Sequence, residues 1–161
     1  MEYINFGIIG AGRIGKLHAK NLIKNVKGAR LKAITDPFID EDWASSQNIP
    51  VFGKDHGIML EDPEINAIII GSPSKEHATQ MIECARTGKN IFCEKPIALE
   101  PDLIRGALEE VEKSGVKLQI GFNRRFDPNF AAIKQKVIDG SIGIPHIIRI
   151  ISRDPIPPSV E

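Results

Sequence analysis

This sequence has no excess charge of either sign, since 21 Lys and Arg balance 21 Asp and Glu in 161 residues. Surfaces that bind nucleic acid or an anionic membrane usually carry an excess of basic residues, so we expect neither partner. Long apolar runs are also missing, and none approaches the roughly 18 to 20 residues of a membrane span. The start, MEYINFGIIG, has neither a basic segment nor a small-residue cleavage site. We therefore expect a cytoplasmic protein.

Cysteine is scarce as well. Only Cys84 and Cys93 are present, and their spacing fits no metal site. In a cytoplasmic protein such cysteines are expected to stay reduced and buried. The histidines form no cluster that suggests a metal, and we interpret His18, His56 and His146 as structural. With 42% hydrophobic and 26% charged residues, the chain has the composition of a soluble globular protein, which excludes a disordered or collagen-like one.

Short apolar runs rich in β-branched residues alternate with helical patterns along the chain. The pattern predicts strands at 3–10, 29–35, 67–72, 90–93 and 116–122, and helices at 13–25, 74–88 and 100–115. Near-continuous apolar strands that alternate with helices favour a parallel sheet covered on both faces. Residues 1–122 are thus predicted to form a doubly wound α/β domain. Residues 123–161 are expected to begin a second α/β domain, with a helix at about 128–139 and a strand at 145–154.

The first strand leads directly into GAGRIG, a G-x-G-x-x-G motif that opens a helix. In a dinucleotide-binding domain Gly10 permits the tight turn, Gly12 lets the backbone approach a diphosphate, and Gly15 lets helix and strand pack closely. The diphosphate is expected at the helix N-terminus, where free N–H groups and the helix dipole favour an anion. Arg13 and Ile14, in the first turn, are further predicted cofactor contacts.

Asp36 directly follows the second predicted strand, 21 residues after Gly15. A carboxylate at this position accepts hydrogen bonds from the adenosine ribose hydroxyls, and it repels a 2′-phosphate. The sequence therefore predicts NAD as the cofactor, with NADP the weaker ligand, although Arg13 is placed to soften that preference. A glycine turn that binds nothing is the alternative interpretation.

Ligands of open α/β sheets bind beyond the carboxyl ends of the strands. Ser72 and Pro73 follow one predicted strand and are expected near the nicotinamide half of the cofactor. Glu94 and Lys95 follow the next strand. We predict that Lys95 exchanges a proton with a substrate hydroxyl and that Glu94 orients it. An exposed charged turn is the other interpretation of the E-K-P triplet.

The sequence resembles the N-terminal part of the glucose-fructose oxidoreductase and inositol dehydrogenase (Gfo/Idh/MocA) family. The resemblance lies in GIIGAGRIGKLHA, ITDP, GSPSKEHATQMIECARTGKNIFCEKP and GFNRRFDPNF, in that order. The last of these, with ISRDPIPP, is most similar to the myo-inositol 2-dehydrogenases of the family. The resemblance implies that Lys95 acts in substrate binding and proton transfer, that the Lys95–Pro96 peptide is cis, and that His77 belongs to the site. From the residues alone, His77 is equally well a packed or capping histidine.

The resemblance also implies an activity, the NAD-dependent oxidation of a secondary alcohol of a cyclic polyol or sugar by hydride transfer. In that family the principal acid/base histidine, with an aspartate four residues before it, lies beyond the region that this sequence covers, and no D-x-x-x-H occurs here. We therefore expect an N-terminal fragment that binds NAD and is inactive alone. Asn123, Arg124, Arg125, Arg153 and Asp154 are candidates for the substrate side, and surface salt bridges explain the charged ones equally well.

The predicted strand at 145–154 has no partner strand in the sequence and exposes apolar side chains, so self-association is expected through it. A homo-oligomer is expected once the second domain is completed. Two other classes of protein remain open, an NAD-binding sensor module and an interaction protein that exchanges its strand with a partner.

Overall fold

The computed structural model describes residues 3–151 and residue 153. These residues form two compact units, one ending at Phe122 and the other beginning at Asn123. Within the described residues, the structure contains no helix with the length and apolar character needed to cross a membrane.

Six parallel strands form the sheet of the first unit. The strands are β1 (Ile4–Ile9), β2 (Ala29–Thr35), β3 (Val51–Gly53), β4 (Ala67–Ile70), β5 (Asn90–Cys93) and β6 (Leu118–Ile120), and the helices are α1 (Arg13–Lys24), α2 (Glu41–Ser46), α3 (Gly57–Leu60), α4 (Ser74–Arg86) and α5 (Pro101–Ser114). The strand order is β3-β2-β1-β4-β5-β6, which confirms the predicted doubly wound sheet. The order reverses between β1 and β4, so a ligand crevice is expected at their carboxyl ends.

The sheet is buried because its central strands are apolar on both faces. On one face Ile68 and Ile70 pack with α3, α4 and α5, and on the other Ile8 and Ile34 pack with α1 and α2. Burying one such side chain stabilises the fold by roughly 1.5 to 3 kcal/mol. The buried apolar residues of α4 recur three and four positions apart, as an amphipathic helix requires: they are Ala78, Met81, Cys84 and Ala85.

Three short elements were not predicted from the sequence: α2, β3 and α3. With six, three and four residues, they are too short to show a clear period. The start of α2 nevertheless has a local signal, because Oδ1 of Asp40 accepts a hydrogen bond from the Trp43 N–H at 3.0 Å. That contact is a helix N-cap.

The second unit contains a 3₁₀ helix at Asn123–Phe126 and α6 at Pro128–Ile138. Asp127 caps α6 through Oδ1, which accepts from the Asn129 N–H at 2.8 Å. The predicted strand at 145–154 is wrong for the described part, since residues 145–151 and 153 form no strand. A strand takes its hydrogen bonds from a neighbouring strand, and the described residues of this unit offer none. Residues 152 and 154 lie outside the described part.

Cys84 and Cys93 are both free and both buried in the core of the first unit. Burial raises the pKa of the Cys84 thiol to about 12, and the nearby Glu83 carboxylate acts in the same direction. The pKa of the Cys93 thiol is also raised to about 12, by burial and then by Glu94. The prediction of reduced core cysteines is confirmed, and neither thiol has the properties of a nucleophile.

We predict that neither cysteine of the native chain reacts with a disulfide reagent such as Ellman's reagent. At about pH 8 a thiol of pKa about 12 is ionised in roughly one molecule in 10,000, whereas an unfolded cysteine is ionised in roughly a quarter. Absorbance should show almost no thiol release before denaturant is added and two thiols afterwards. Rapid reaction of a native thiol would contradict the buried placement.

Candidate functional site

The turn after β1 leaves no room for side chains at two of its glycines. Gly10 has a φ of +95°, and a Cβ placed on it would lie 2.6 Å from the backbone nitrogen of Ser72. A Cβ on Gly15 would lie 1.8 Å from the carbonyl oxygen of Gly10. Contacts this short between fixed backbone atoms are not tolerated, so these two glycines let α1 pass directly over the turn.

Gly12, the middle glycine, faces open space instead. Its φ is −69°, and a Cβ placed on it would meet no heavy atom within 4 Å. It is the N-cap of α1, with no side-chain cap and no acidic residue in the first turn. Arg13 is exposed and Ile14 is half-buried in that turn. An uncapped helix N-terminus beside an open glycine has the donors and the room that a diphosphate needs.

Asp36 lies beside this loop and fixes it. Its Oδ2 accepts a hydrogen bond from the Ala11 N–H at 2.7 Å, and its Oδ1 accepts one from the Phe38 N–H at 2.8 Å. A cleft of about 480 Å³ opens next to the carboxylate, between Gly10, Phe38 and Pro73 among others. The cleft joins the ends of β1, β2 and β4, so its position fits the adenosine half of a dinucleotide.

Main-chain hydrogen bonds continue beyond the strands and align the loops of the site. The Gly10 N–H donates to the Thr35 carbonyl at 2.7 Å, and the Gly71 N–H donates to the Ile9 carbonyl at 2.8 Å. The Glu94 N–H donates to Ile70 in the same way, at 2.9 Å. The loops after β1, β2, β4 and β5 are therefore held in fixed order along one edge of the sheet.

His77, in the first turns of α4, is buried with 1% of its surface exposed. Its Nδ1 lies 2.7 Å from the Pro96 carbonyl oxygen, and its Nε2 lies 2.8 Å from the Ser72 carbonyl oxygen. A neutral ring has one N–H and donates to only one of these carbonyls. His77 thus connects the turn after β4 with the turn after β5, and its direct contact with a cofactor stays a prediction.

Ser72 and Pro73 form the turn between β4 and α4. The Ser72 hydroxyl donates to Oε1 of Gln80 at 2.6 Å, and Pro73 is the exposed N-cap of the helix. Both residues line the cleft beside Asp36. The structure therefore brings them together with the glycine loop and Asp36, and their predicted place near the nicotinamide half stays a prediction.

The E-K-P triplet follows β5, and its Lys95–Pro96 peptide is cis, which confirms that expectation. Lys95 is exposed. Glu94, expected to orient Lys95, has a different partner: its Oε1 lies 2.9 Å from Nε2 of His18. No sequence pattern had indicated that His18 contacts Glu94. Its only local signal is its position on α1 three residues after Gly15.

The candidates for the substrate side fall in the second unit. Asn123 and Arg124 belong to the 3₁₀ helix, where the Arg124 guanidinium lies 4.9 Å from the centre of the Phe130 ring. Arg125 and Arg153 are exposed, and Asp154 lies outside the described residues. A substrate role for these residues stays a prediction.

The strand order, the glycine loop and the carboxylate after β2 together define a dinucleotide-binding α/β domain. Residues 4–122 match the sequence model of the GFO_IDH_MocA family, described as an oxidoreductase family with an NAD-binding Rossmann fold. The chain belongs to this family. The match confirms the predicted family and the prediction of NAD as the cofactor of this domain.

Individual relatives extend the comparison. The chain is 48% identical over 157 residues to the uncharacterized oxidoreductase YrbE of Bacillus subtilis, and this covers 96% of the chain and 46% of YrbE. It is 41% identical over 160 residues to the myo-inositol 2-dehydrogenase of Thermotoga maritima, and this covers 98% of the chain and 48% of that enzyme. The chain thus spans about half the length of these relatives.

Among solved structures, the chain is similar to scyllo-inositol dehydrogenase from Lactobacillus casei, crystallised with bound NAD(H) and scyllo-inositol. The TM-score is 0.83 at 35% identity, over 88% of this chain and 43% of that one.

Separate substitutions of Gly12 and of Gly15 by alanine should distinguish residues needed for NAD binding from residues needed for stability. Gly15→Ala places a Cβ against the Gly10 carbonyl and should lower the free energy of unfolding by about 1 to 3 kcal/mol. Gly12→Ala should change it by less than about 1 kcal/mol, because the new Cβ meets open space. It should still weaken NAD binding at least about tenfold, since the methyl group occupies the approach of the diphosphate. Thermal unfolding and calorimetric titration measure the two effects, and unchanged NAD affinity in Gly12→Ala would contradict this assignment.

Proposed function

We propose that this chain supplies the cofactor-binding half of an NAD-dependent dehydrogenase that oxidises a secondary alcohol of a cyclic polyol, such as an inositol. One observation carries the proposal: the open, uncapped N-terminus of α1 at Gly12 lies beside a carboxylate at the end of β2. The first feature suits a diphosphate and the second suits a ribose diol.

Two features of the chain would hold the adenosine half of NAD. The N–H groups that follow Gly12 would donate to the diphosphate, as no side chain caps them. Asp36 would accept from the ribose hydroxyls while it keeps its bond to the Ala11 N–H. Because a carboxylate accepts several hydrogen bonds at once, these roles are compatible.

Lys95 would act at the nicotinamide half of the cofactor, where the substrate reacts. When bound, the nicotinamide ring supplies the acceptor for a hydride from the carbon that carries the hydroxyl group. Lys95 is exposed at the carboxyl end of β5, next to the end of β4, where its ammonium can reach a substrate hydroxyl. There it would bind the hydroxyl and take part in transfer of its proton.

The choice of a cyclic polyol as substrate rests on similarity. The relatives of this chain include the myo-inositol 2-dehydrogenase of T. maritima and the scyllo-inositol dehydrogenase of L. casei, whose structure holds scyllo-inositol. Because the chain covers about half of these proteins, we propose that the 161 residues alone bind NAD without completing catalysis.

We predict that the chain binds NAD and that NADP binds much more weakly. The Asp36 carboxylate should repel a 2′-phosphate placed a few ångströms away, so Asp36→Asn should narrow the preference for NAD by at least about tenfold. The asparagine oxygen can still accept the hydrogen bond from the Ala11 N–H, but the amide nitrogen cannot accept the one from the Phe38 N–H. Thermal unfolding of Asp36→Asn is therefore the control for a change in the loop. Calorimetric titration of both proteins with both nucleotides gives the ratio. Absence of NAD binding to the wild-type chain would overturn the proposed function.

Turnover tests the second part of the proposal. With NAD and myo-inositol or scyllo-inositol present, the purified chain of 161 residues should show no steady formation of NADH at 340 nm. A full-length inositol dehydrogenase assayed alongside is the positive control. Steady NADH formation by the pure chain would show that its own residues complete the reaction.

A further inference from the structure

A histidine and a carboxylate 76 residues apart in sequence join two parts of the site. Nε2 of His18, on α1, lies 2.9 Å from Oε1 of Glu94, which directly precedes Lys95. The N-terminus of α1 is the proposed diphosphate site, and Lys95 is the proposed reactive residue. The pair therefore connects the element that would hold one half of the cofactor with the segment that would face the other half.

Both partners are held from several sides. The His18 ring packs edge-on against the Phe92 ring, with 5.2 Å between centroids. The Glu94 backbone is fixed by its N–H bond to the Ile70 carbonyl at 2.9 Å. A Cβ on Gly121 would lie 3.2 Å from the carboxylate carbon and both carboxylate oxygens of Glu94, so the glycine leaves that group room. The carboxylate is thus confined between β6 and α1.

We expect the contact between His18 and Glu94 to add little to the free energy of unfolding. The side chains of His18 and Glu94 are 21% and 20% exposed, and partly exposed ion pairs stabilise a protein only modestly. The chain also contains a pair of the same chemistry away from the glycine loop, since Nε2 of His56 lies 2.7 Å from Oε2 of Glu83. What distinguishes the first pair is the elements that it joins.

We propose that His18 is a positioning residue for the nicotinamide side of the site. By holding Glu94, it fixes the start of the E-K-P segment relative to α1 and so sets where Lys95 meets the cofactor. This inference rests on the proposed function. It requires that His18 affect binding of the nicotinamide half and not of the adenosine half, which depends on Gly12 and Asp36.

The test compares two ligands and four forms of the chain. NAD and ADP-ribose, which lacks the nicotinamide ring, are titrated by calorimetry into the wild type, His18→Leu, His18→Gln and His56→Leu. We expect NAD to bind His18→Leu about tenfold more weakly, while the affinity for ADP-ribose changes less than about twofold. Because a glutamine amide donates to Glu94 from a similar distance, His18→Gln should recover most of the loss. His56→Leu should leave both affinities unchanged.

Hydrogen exchange gives a second readout on the same chains. In His18→Leu the amides of residues 94–98 should exchange faster, while those of β1 and β2 keep their protection. Equal NAD affinity in His18→Leu and the wild type would overturn the inference and leave the proposed function standing. A parallel loss of NAD and ADP-ribose binding would also overturn it, because the role would then be structural. Failure of the wild type to bind NAD would overturn the proposed function and this inference together.

Discussion

The close passage of α1 over the turn after β1 is the constraint on which the rest of the site depends. It requires that Gly15 approach the Gly10 carbonyl to a distance at which no Cβ fits. In the same turn the N-terminus of α1 is left without a side-chain cap at Gly12, and Asp36 accepts a hydrogen bond from the Ala11 N–H. A side chain at position 15 would press α1 away from the turn that carries both features. Packing and ligand recognition are therefore consequences of the same contact.

The two halves of the proposed site are built by different means. On the adenosine side the groups offered to a ligand are mostly backbone N–H groups, and the fold itself places them. On the nicotinamide side the groups are the side chains of Glu94 and Lys95, which need further contacts to be oriented. His18 provides such a contact for Glu94, and Gly121 leaves its carboxylate room. This difference explains why a single glycine motif indicates the first half but not the second.

Much of the first unit could be predicted from the sequence, because apolar residues recur at regular spacing along its long helices and strands. The strands at 29–35 and 90–93 and the helix α1 follow directly from apolar patterning. The run at 145–154 has the same β-branched composition, yet its described residues form no strand, since composition does not supply a neighbour for hydrogen bonding. The pairing of His18 with Glu94 was missed for a related reason, as contacts between distant segments leave no local pattern.

The buried ring of His77 has a mechanical consequence. It is in contact with the Pro96 and Ser72 carbonyl oxygens, and both atoms belong to turns at the carboxyl edge of the sheet. A neutral ring donates to one of them, so it links α4 to one turn by a hydrogen bond and packs against the other. Displacement of either turn would therefore open a gap beside a buried imidazole, so the two turns and α4 are coupled through a single side chain.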